Sequence, residues 1–424
     1  MMKLVNSSWD DRYSNRRNQG ALPPAPFFSF YMACILRAMK IASHPELSKA
    51  LADALETGPI SFRHFMEVAL YHPTGGYYCR DSPRIGPGGD FYTSPHQSPW
   101  LGRLIAPLLE KIRLRMDEPP ALHLWEYGPG EGWLAFDILE AIHSSHSALH
   151  QAVAYTFAEQ SAQAQARIRE KFQDTDNIRF SDPTQHPPPG FEGVVLAHEF
   201  LDALPVHVII QKEGHLRERY VEQSGEKLQF SEGPLADERL SDWFPDLGVR
   251  LSTGQMAEVN LCAFDWVSEV ARRMERGAIL IFDYGFSARV LYGSSRPEGA
   301  LRGYRNHTLV SDVLSRPGET DLTTHVDFTS ILRTAASHGM ELAGFTDQTR
   351  FLLGAGLPKA VENWKTEDEE KARRERQSVM GIMNPTGLGG AIKVMLLSKN
   401  LSLSDLSEFS MKPDDRESLE TLFG

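Results

Sequence analysis

The chain has 424 residues and a formal charge of −12, and its hydrophobic (41%) and charged (24%) fractions are those of a folded globular protein. The negative charge argues against a nucleic-acid partner bound through overall positive charge. Three widely spaced cysteines exclude a disulfide framework or a cysteine-rich zinc site, and no apolar run is long enough to predict a membrane span.

The first part of the chain lacks the pattern of a packed core, and we predict a poorly ordered extension over residues 1–40. Three arginines between residues 12 and 17 precede an apolar stretch, as in a targeting sequence. However, Asp10 and Asp11 are unusual in a transit peptide, and no small-residue cleavage site follows. We therefore expect a cytoplasmic protein, with the mitochondrial matrix as the alternative if these residues are a presequence.

Helical patterns follow in a segment that we assign to residues 41–118. A capping pattern begins at Ser43 and is followed by leucines at helical spacing. Ser61 is suited to cap a second helix. A glycine-rich loop, 83–94, then leads into a third helix with regularly spaced leucines and isoleucines.

From residue 119 the pattern alternates between strand and helix, which is typical of parallel strands joined by right-handed helical crossovers. We predict an α/β domain over 119–399, built on a doubly wound, mostly parallel sheet of seven strands that binds its ligand at the carboxyl ends of the first strands. Two insertions interrupt the alternation, at 205–257 and 287–325, and residues 400–424 read as a polar tail. The predicted strands are Leu122–Tyr127, Val153–Ala158, Ile178–Ser181, 194–198, 278–282, 341–345 and 391–397.

A glycine-rich turn follows the first predicted strand. Gly128, Gly130 and Gly132 form a G-x-G-x-G pattern that lets a ligand approach the backbone, and Glu126 precedes it. An acid at the end of the second strand, Glu159, is suited to accept both hydroxyls of an adenosine ribose. The turn therefore predicts an adenosine-containing cofactor.

The details of this turn favour S-adenosylmethionine over a dinucleotide. The third glycine comes one residue earlier than in the dinucleotide pattern, and the turn has no basic residue to bind phosphates. Adenosine suits Glu159, and a zwitterionic methionine tail suits the glycines near Glu126. Asp182, just after the third strand, either reaches the adenine edge or is a turn residue before Pro183.

Six segments occur in a fixed order between Gly58 and Phe328, and GLGGAIKVMLLSK follows near the C-terminus. They are GPISFRHFMEVALYHPTGGYY, GGDFYTSP, WEYGPGEGWLAFDIL, LAHEFLDALPV, FDYG and PGETDLTTHVDF. In this combination the chain resembles the MidA-like family of S-adenosylmethionine-dependent methyltransferases. It departs from the family pattern at Glu131, Trp133 and His198, none of which is a motif glycine or acid.

This resemblance implies a class I methyltransferase sheet, S-adenosyl-L-methionine as cofactor and methyl transfer. In a mitochondrial member of the family the acceptor is an arginine of a respiratory complex I subunit, so the resemblance implies a protein substrate of that type. It also implies that the 41–118 segment covers the cofactor. Asp90 and Thr93 are then candidates to bind the methionine end, and Ser94 is equally suited to cap the next helix.

Methyl transfer to arginine needs carboxylates, because the guanidinium stays protonated and has no free lone pair. A carboxylate can hold its plane and draw positive charge away from the attacking nitrogen. Glu199 and Asp202 directly follow the fourth strand, beside apolar residues that can desolvate them, and are our catalytic candidates. The alternative is that they cap the start of the insertion. Asp283, at the end of the fifth strand, is a secondary catalytic candidate.

The second insertion supplies the candidate substrate-binding residues. It leaves the sheet after Asp283 and returns just before a predicted helix at Asp327, so both of its ends lie at the catalytic edge. We expect it to form one wall of a protein-substrate groove, with Asp321 or His325 near the methyl-accepting side chain.

Two other functions suit the same sheet: a nicotinamide-dependent oxidoreductase, and a non-catalytic assembly chaperone that holds a partner subunit with its insertions. Retention of the three motif glycines and Glu159 argues against a dead cofactor site. No metal is expected. His143, His146 and His150 are spaced for one helix face, but no carboxylate or cysteine completes a ligand set.

Overall fold

The computed structural model describes residues 41–80, 89, 90, 92–364, 366 and 368–411. The predicted extension over 1–40 lies outside the described residues, as do most of the glycine-rich loop 83–94 and the end of the predicted tail.

The described residues form sixteen strands, numbered in chain order. They are β1 Ile60–Ser61, β2 Leu122–Tyr127, β3 Val153–Ala158, β4 Ile178–Ser181, β5 Phe191–His198, β6 His207–Lys212, β7 His215–Ser224, β8 Lys227–Gly233, β9 Met256–Val259, β10 Met274–Phe286, β11 Arg302–Arg305, β12 Thr308–Val310, β13 Asp321–Thr323, β14 Val326–Asp327, β15 Glu341–Asp347 and β16 Ile392–Lys399.

The central sheet has the strand order β15-β16-β10-β5-β2-β3-β4, and β14 pairs with the end of β10. Strands β4, β3, β2, β5 and β10 run parallel, whereas β16 is antiparallel to both of its neighbours. The predicted α/β sheet is therefore confirmed. The predicted count of seven is not, because the long β10 runs past its other partners and pairs with the two-residue β14, which makes eight strands in this sheet among the described residues.

Helices cover both faces of this sheet, which is why its inner strands are apolar along their length. Trp100–Arg115 and Trp133–Ser145 pack on one face, and Leu261–Arg273 and Phe328–Ser337 on the other. The remaining described α-helices are Pro45–Leu55, Phe62–Tyr71, Ser94–Gln97, Ser147–Ala152, Ala162–Lys171, Trp243–Asp246, Ala288–Leu291, Gln348–Gly354, Leu357–Asn363, Glu369–Met383 and Leu388–Ala391.

The two insertions form separate small sheets beside the carboxyl ends of the central strands. The first insertion supplies β6 to β9, which join the N-terminal β1 in a five-stranded sheet. The second supplies the three-stranded sheet β12-β11-β13. The two N-terminal helices pack against both insertions in an apolar cluster of their own, so the N-terminal segment and the insertions enclose the same edge of the central sheet.

The predicted polar tail begins as packed chain. Leu401, Leu403 and Leu406 are buried against the helices on one face of the central sheet. Apolar side chains at this spacing bind the segment 400–411 to the domain, and the rest of the tail lies outside the described residues.

Candidate active site

A cleft of about 970 Å³ opens at the carboxyl ends of β2, β3 and β5. The glycine-rich turn and the ends of these strands form its base. The second N-terminal helix and the following turn form one wall, with Tyr71 and Tyr78. The three-stranded sheet of the second insertion forms another, with Arg302, Tyr304 and Asp321. The cleft therefore lies where the strand pattern predicted a ligand.

The glycine-rich turn takes a backbone conformation that side chains disfavour. Gly128, Gly130 and Gly132 have φ values of 61°, 58° and 73°. The Gly128 N–H donates to the Ala158 carbonyl at 3.1 Å, which ties the turn to β3. A Cβ atom on Gly128 would lie 3.0 Å from Phe200 Cδ2, whereas one on Gly130 would have no protein atom within 4 Å. The turn thus presents bare backbone to the cleft at Gly130, and Gly132 begins the next helix.

Two acids flank this turn. Glu126 is 2% exposed, and its Oε2 accepts a hydrogen bond of 2.9 Å from the Tyr155 hydroxyl. Burial raises the pKa of Glu126 to about 8, and the nearby charge of Glu159 acts in the same direction. Glu159 Oε1 accepts the Ser161 N–H at 2.7 Å. Both acids line the cleft.

Asp182 is exposed and is not among the residues that line the cleft, although its neighbours Pro183 and Thr184 are. Its Oδ1 accepts the backbone N–H of Thr184 at 2.8 Å and the Thr184 hydroxyl at 2.6 Å. This geometry is that of a residue that stabilises its own turn.

Of the two candidates before the first strand, only Thr93 lines the cleft, and its Oγ1 lies 3.1 Å from His96 Nδ1. Asp90 is buried outside the lining. Its Oδ2 accepts the Tyr77 hydroxyl at 2.8 Å and lies 3.3 Å from Arg80 Nη2, and its Oδ1 accepts the Asn306 N–H at 2.5 Å. Asp90 therefore connects the N-terminal segment to the β11–β12 hairpin.

Three of the predicted acids meet in the cleft: Glu199 and Asp202 after β5, and Asp321 on β13. Asp202 is 7% exposed and Asp321 is 3% exposed. Burial raises the pKa of Asp202 well above its usual range, and the charges of Asp283, Glu199 and Asp321 add to the increase. Burial likewise raises the pKa of Glu199, and its Oε1 has no hydrogen-bond partner. This part of the cleft is therefore suited to a cation.

Asp283 is fully buried and is not part of the cleft lining. Its Oδ2 accepts the backbone N–H groups of Phe200 at 3.2 Å and Leu201 at 2.8 Å, and its Oδ1 accepts the Tyr284 N–H at 2.8 Å. Burial raises the pKa of Asp283 to about 7, against the effect of these hydrogen bonds. The carboxyl group thus holds the backbone between Glu199 and Asp202 in place. Glu199 itself has a φ of 48°, a conformation that needs such support.

His325, a predicted substrate-binding residue, lines the cleft at the end of the second insertion. Its Nδ1 is buried and has no hydrogen-bond partner, and its ring meets the edge of Phe286 at 5.1 Å between centroids. Burial, together with the charges of Arg296, Arg302 and Lys393, lowers the pKa of His325 to about 4. The imidazole is therefore neutral at physiological pH.

Sequence reasoning gave no role to two tyrosines of the N-terminal segment that line the cleft. The Tyr78 hydroxyl donates to Asp321 Oδ1 at 2.6 Å, and the Tyr71 hydroxyl donates to the Ala203 carbonyl at 2.9 Å. Both tyrosines lie in the family segment that ends in TGGYY, which is the one signal that pointed to them. They connect the N-terminal segment to the acid-bearing loop and to the second insertion.

Two kinds of site do not occur in the part of the chain that the structure describes. No group of three or more His, Cys, Asp or Glu side chains there is arranged to hold a metal ion. None of the helices within those residues combines the length and apolar character that crossing a bilayer requires.

The sheet order and the glycine turn at the carboxyl ends of its strands fit an S-adenosylmethionine-dependent methyltransferase. Residues 101–346 match the family described as S-adenosyl-L-methionine-dependent methyltransferase, and the chain belongs to it. The predicted family, enzyme class and cofactor are thereby confirmed. The comparisons favour this function over the nicotinamide oxidoreductase that a doubly wound sheet also allows.

The chain is also similar to individual proteins of known name or structure. The chain is 29% identical over 368 residues to protein arginine methyltransferase NDUFAF7, mitochondrial, from Danio rerio, covering 81% of this chain and 84% of that protein. It is 30% identical over 406 residues to the Drosophila melanogaster homologue, covering 87% and 88%. A crystal structure of a Burkholderia thailandensis protein bound to S-adenosyl-homocysteine superposes with a TM-score of 0.79 at 26% identity, covering 92% of this chain and 98% of that one.

Proposed function

We propose that this methyltransferase acts on the guanidinium group of an arginine in a protein. The observation that carries the proposal is the group of carboxyls from Glu199, Asp202 and Asp321, which line the same cleft as the glycine turn, with Asp202 and Asp321 buried. The names of the relatives, protein arginine methyltransferase, agree with this reading.

The residues around the glycine turn suit S-adenosylmethionine. The space above Gly130 is open, and a side chain there would fill it. Glu159 is suited to the ribose hydroxyls, and the buried Glu126 and Thr93 are suited to the polar methionine end. Gly132 and Asp90 then act by positioning the turn and the covering segment, and Asp182 by stabilising its turn. When bound, the cofactor supplies an electrophilic methyl group.

The carboxyl groups would do two things for the acceptor. Asp202 and Asp321 would bind the planar guanidinium and hold one nitrogen toward the glycine turn. The cation would in turn favour the charged form of Asp202 and oppose the burial that raises the pKa of this carboxyl. Glu199 Oε1 is buried and has no hydrogen-bond partner. Once a bound cation favours the charged form of this carboxyl, Oε1 is suited to accept the proton that the nitrogen loses in the transfer.

We further propose that the target is a subunit of a respiratory complex I type, as the family resemblance implies. The mitochondrial relatives favour the mitochondrial matrix over the cytoplasm for this chain. Fractionation of cells that express the tagged protein tests the compartment, because a signal confined to the cytosolic fraction would contradict the proposal.

The direct test is incubation of the full chain with labelled S-adenosylmethionine and a proteome lysate, followed by identification of the labelled amino acid. We expect methylarginine in a protein. Glu199→Gln and Asp202→Asn keep the shape of each side chain and remove its charge, so label should fall at least tenfold while cofactor affinity persists. Glu192→Gln, at an exposed acid near the start of β5 that does not line the cleft, is the matched control and should label at the wild-type rate.

Three outcomes would contradict the proposal. Labelled lysine or a labelled small molecule would assign another acceptor. Wild-type labelling by both cleft variants would remove these acids from the reaction. Cofactor binding without any labelled product would favour the non-catalytic assembly chaperone.

A further inference from the structure

The small sheet of the second insertion presents one face to the cleft. In its antiparallel pairing Arg302 lies opposite Thr323, and Tyr304 lies opposite Asp321. Residues directly opposite each other share a face, so these four side chains point the same way, and all four line the cleft. Leu322 alternates to the other face and is buried. A cation and an anion therefore stand diagonally on one surface.

Other cationic side chains lie near the Arg302 end of this surface. His325 follows β13, lines the cleft beside Arg302 and is influenced by three cationic side chains: Arg296, Arg302 and Lys393. Arg302 uses one N–H, from Nη1, to donate to the Leu301 carbonyl at 2.7 Å. Its guanidinium has four further N–H groups. The buried Nδ1 of His325 has no partner within the protein.

We propose that Arg302 and His325 form a subsite for a carboxylate of the substrate, next to the acids that would bind its guanidinium. In this subsite the substrate carboxylate would accept two hydrogen bonds from the Arg302 guanidinium, whose fork geometry matches a carboxylate, and one from the N–H of the neutral His325 imidazole. This inference rests on the proposed function, because it takes the acid side of the cleft as the arginine site.

The spacing of the surface sets the spacing in the substrate. Diagonal neighbours in an antiparallel pair lie about 7–8 Å apart, which applies to Arg302 and Asp321. An extended peptide advances about 3.3 Å per residue. A carboxylate one or two positions from the target arginine can therefore reach Arg302 while the arginine reaches Asp321. The substrate class is a peptide segment with an aspartate or glutamate within two residues of the arginine.

The same chemistry has a second source, the α-carboxylate of free arginine. The test therefore uses two probes: free L-arginine, and peptides with one central arginine and a single Glu at position −2, −1, +1 or +2. Each Glu peptide is paired with its Gln version. Affinity for the full chain is measured by calorimetry with S-adenosyl-homocysteine present, and turnover is measured with the labelled methyl donor.

We expect at least one Glu peptide to bind tenfold or more tightly than its Gln version. Arg302→Gln should reduce this preference to less than twofold. Arg302→Glu should reverse it, so that a peptide with Lys in place of that Glu binds more tightly than the Glu peptide. Arg305→Gln is the matched control on the same strand, because Arg305 does not line the cleft, and it should keep the preference. S-adenosyl-homocysteine affinity should be unchanged in all three variants, which shows that they fold.

Equal affinity of every Glu and Gln pair, including no measurable binding of either, would overturn the subsite. Stronger binding of free arginine than of any peptide would keep the carboxylate chemistry and assign it to a small substrate, which overturns the peptide class. A different result would show that the proposed function itself is wrong. In that case peptides with lysine in place of the central arginine would be methylated at the same rate as the arginine peptides.

Discussion

Replacing Gly130 by alanine should separate the cost of its backbone conformation from its contact with the cofactor. The left-handed conformation costs a non-glycine residue about 1–2 kcal/mol. Part of this is offset by about 0.4–1 kcal/mol from the reduced freedom of the unfolded chain. Gly214, in the turn between β6 and β7, has a φ of 84° and also has no atom within 4 Å of an added Cβ. Both alanine variants should therefore lose about the same stability, which is a fall in Tm of at most about 2 °C for a chain of this size.

Only the Gly130 variant should lose cofactor affinity, because its methyl group would enter the cleft where the ligand meets the backbone. Crowding by one methyl group costs about 1–3 kcal/mol, or roughly 10–100-fold in Kd. Calorimetry with S-adenosylmethionine and thermal unfolding without it measure the two quantities separately. Wild-type affinity in a folded Gly130→Ala protein would refute the assignment of the turn. An equal loss in Gly214→Ala would show that the effect is not local.

Three further changes test the acids. Glu159→Ala should weaken S-adenosylmethionine binding by about 1.5–3 kcal/mol in calorimetry, since a charged hydrogen-bond acceptor is lost; an unchanged Kd would exclude a ribose contact. Asp283→Ala should lower both Tm and the rate of methyl transfer while cofactor affinity stays within threefold, because three backbone N–H groups lose their acceptor; wild-type turnover would contradict this positioning role. The pKa of Asp202 is raised in the folded state, so the native protein keeps a proton that the unfolded chain releases above about pH 4, and stability of the unliganded enzyme should fall as pH rises from there. Asp202→Asn should flatten this slope and raise Tm at pH 8, as thermal unfolding at pH 5 and pH 8 would show; an identical slope would count against the burial argument.

The sequence predicted the parts of the fold that depend on local pattern. Strands β2, β3 and β4 have the predicted bounds because each is a short run with apolar residues between clear turn signals. The helical pattern after the first insertion spans 258–274 in the sequence, whereas the helix begins at Leu261, because β9 directly precedes it and pairs with β6. A four-residue strand that leads into a helix without an intervening turn has no periodicity of its own. The pairing of β1 with β7 was equally invisible, since two residues carry no pattern.

The sequence predicted those site residues that directly follow a strand of the central sheet. Glu199 and Asp202 were found because the carboxyl ends of parallel strands share one edge. Asp90 was assigned to the cofactor on resemblance alone, and the sequence cannot reveal that its carboxylate accepts a hydrogen bond from the backbone N–H of Asn306, 216 residues away in the chain. Glu375 shows the same limit. The charged stretch 367–376 has the composition of a solvated helix face, yet Glu375 is buried, with its Oε1 3.3 Å from Arg103 Nη1. Polar contacts between residues far apart in the chain have no periodic signature in the sequence. The predictions for Asp90 and Glu375 had to be corrected for this reason.

The carboxyl group of Asp321 is held by Tyr78, a partner 243 positions earlier in the chain. During synthesis, the ribosome must therefore complete more than three-quarters of the polypeptide before the acid cluster can exist, at roughly 5–20 residues per second. The glycine turn and Glu159 emerge far earlier. They lie, however, in a sheet whose inner strand β10 and its antiparallel neighbour β16 are synthesised later, at Met274–Phe286 and Ile392–Lys399. Both ends of the cleft are therefore completed only late in synthesis.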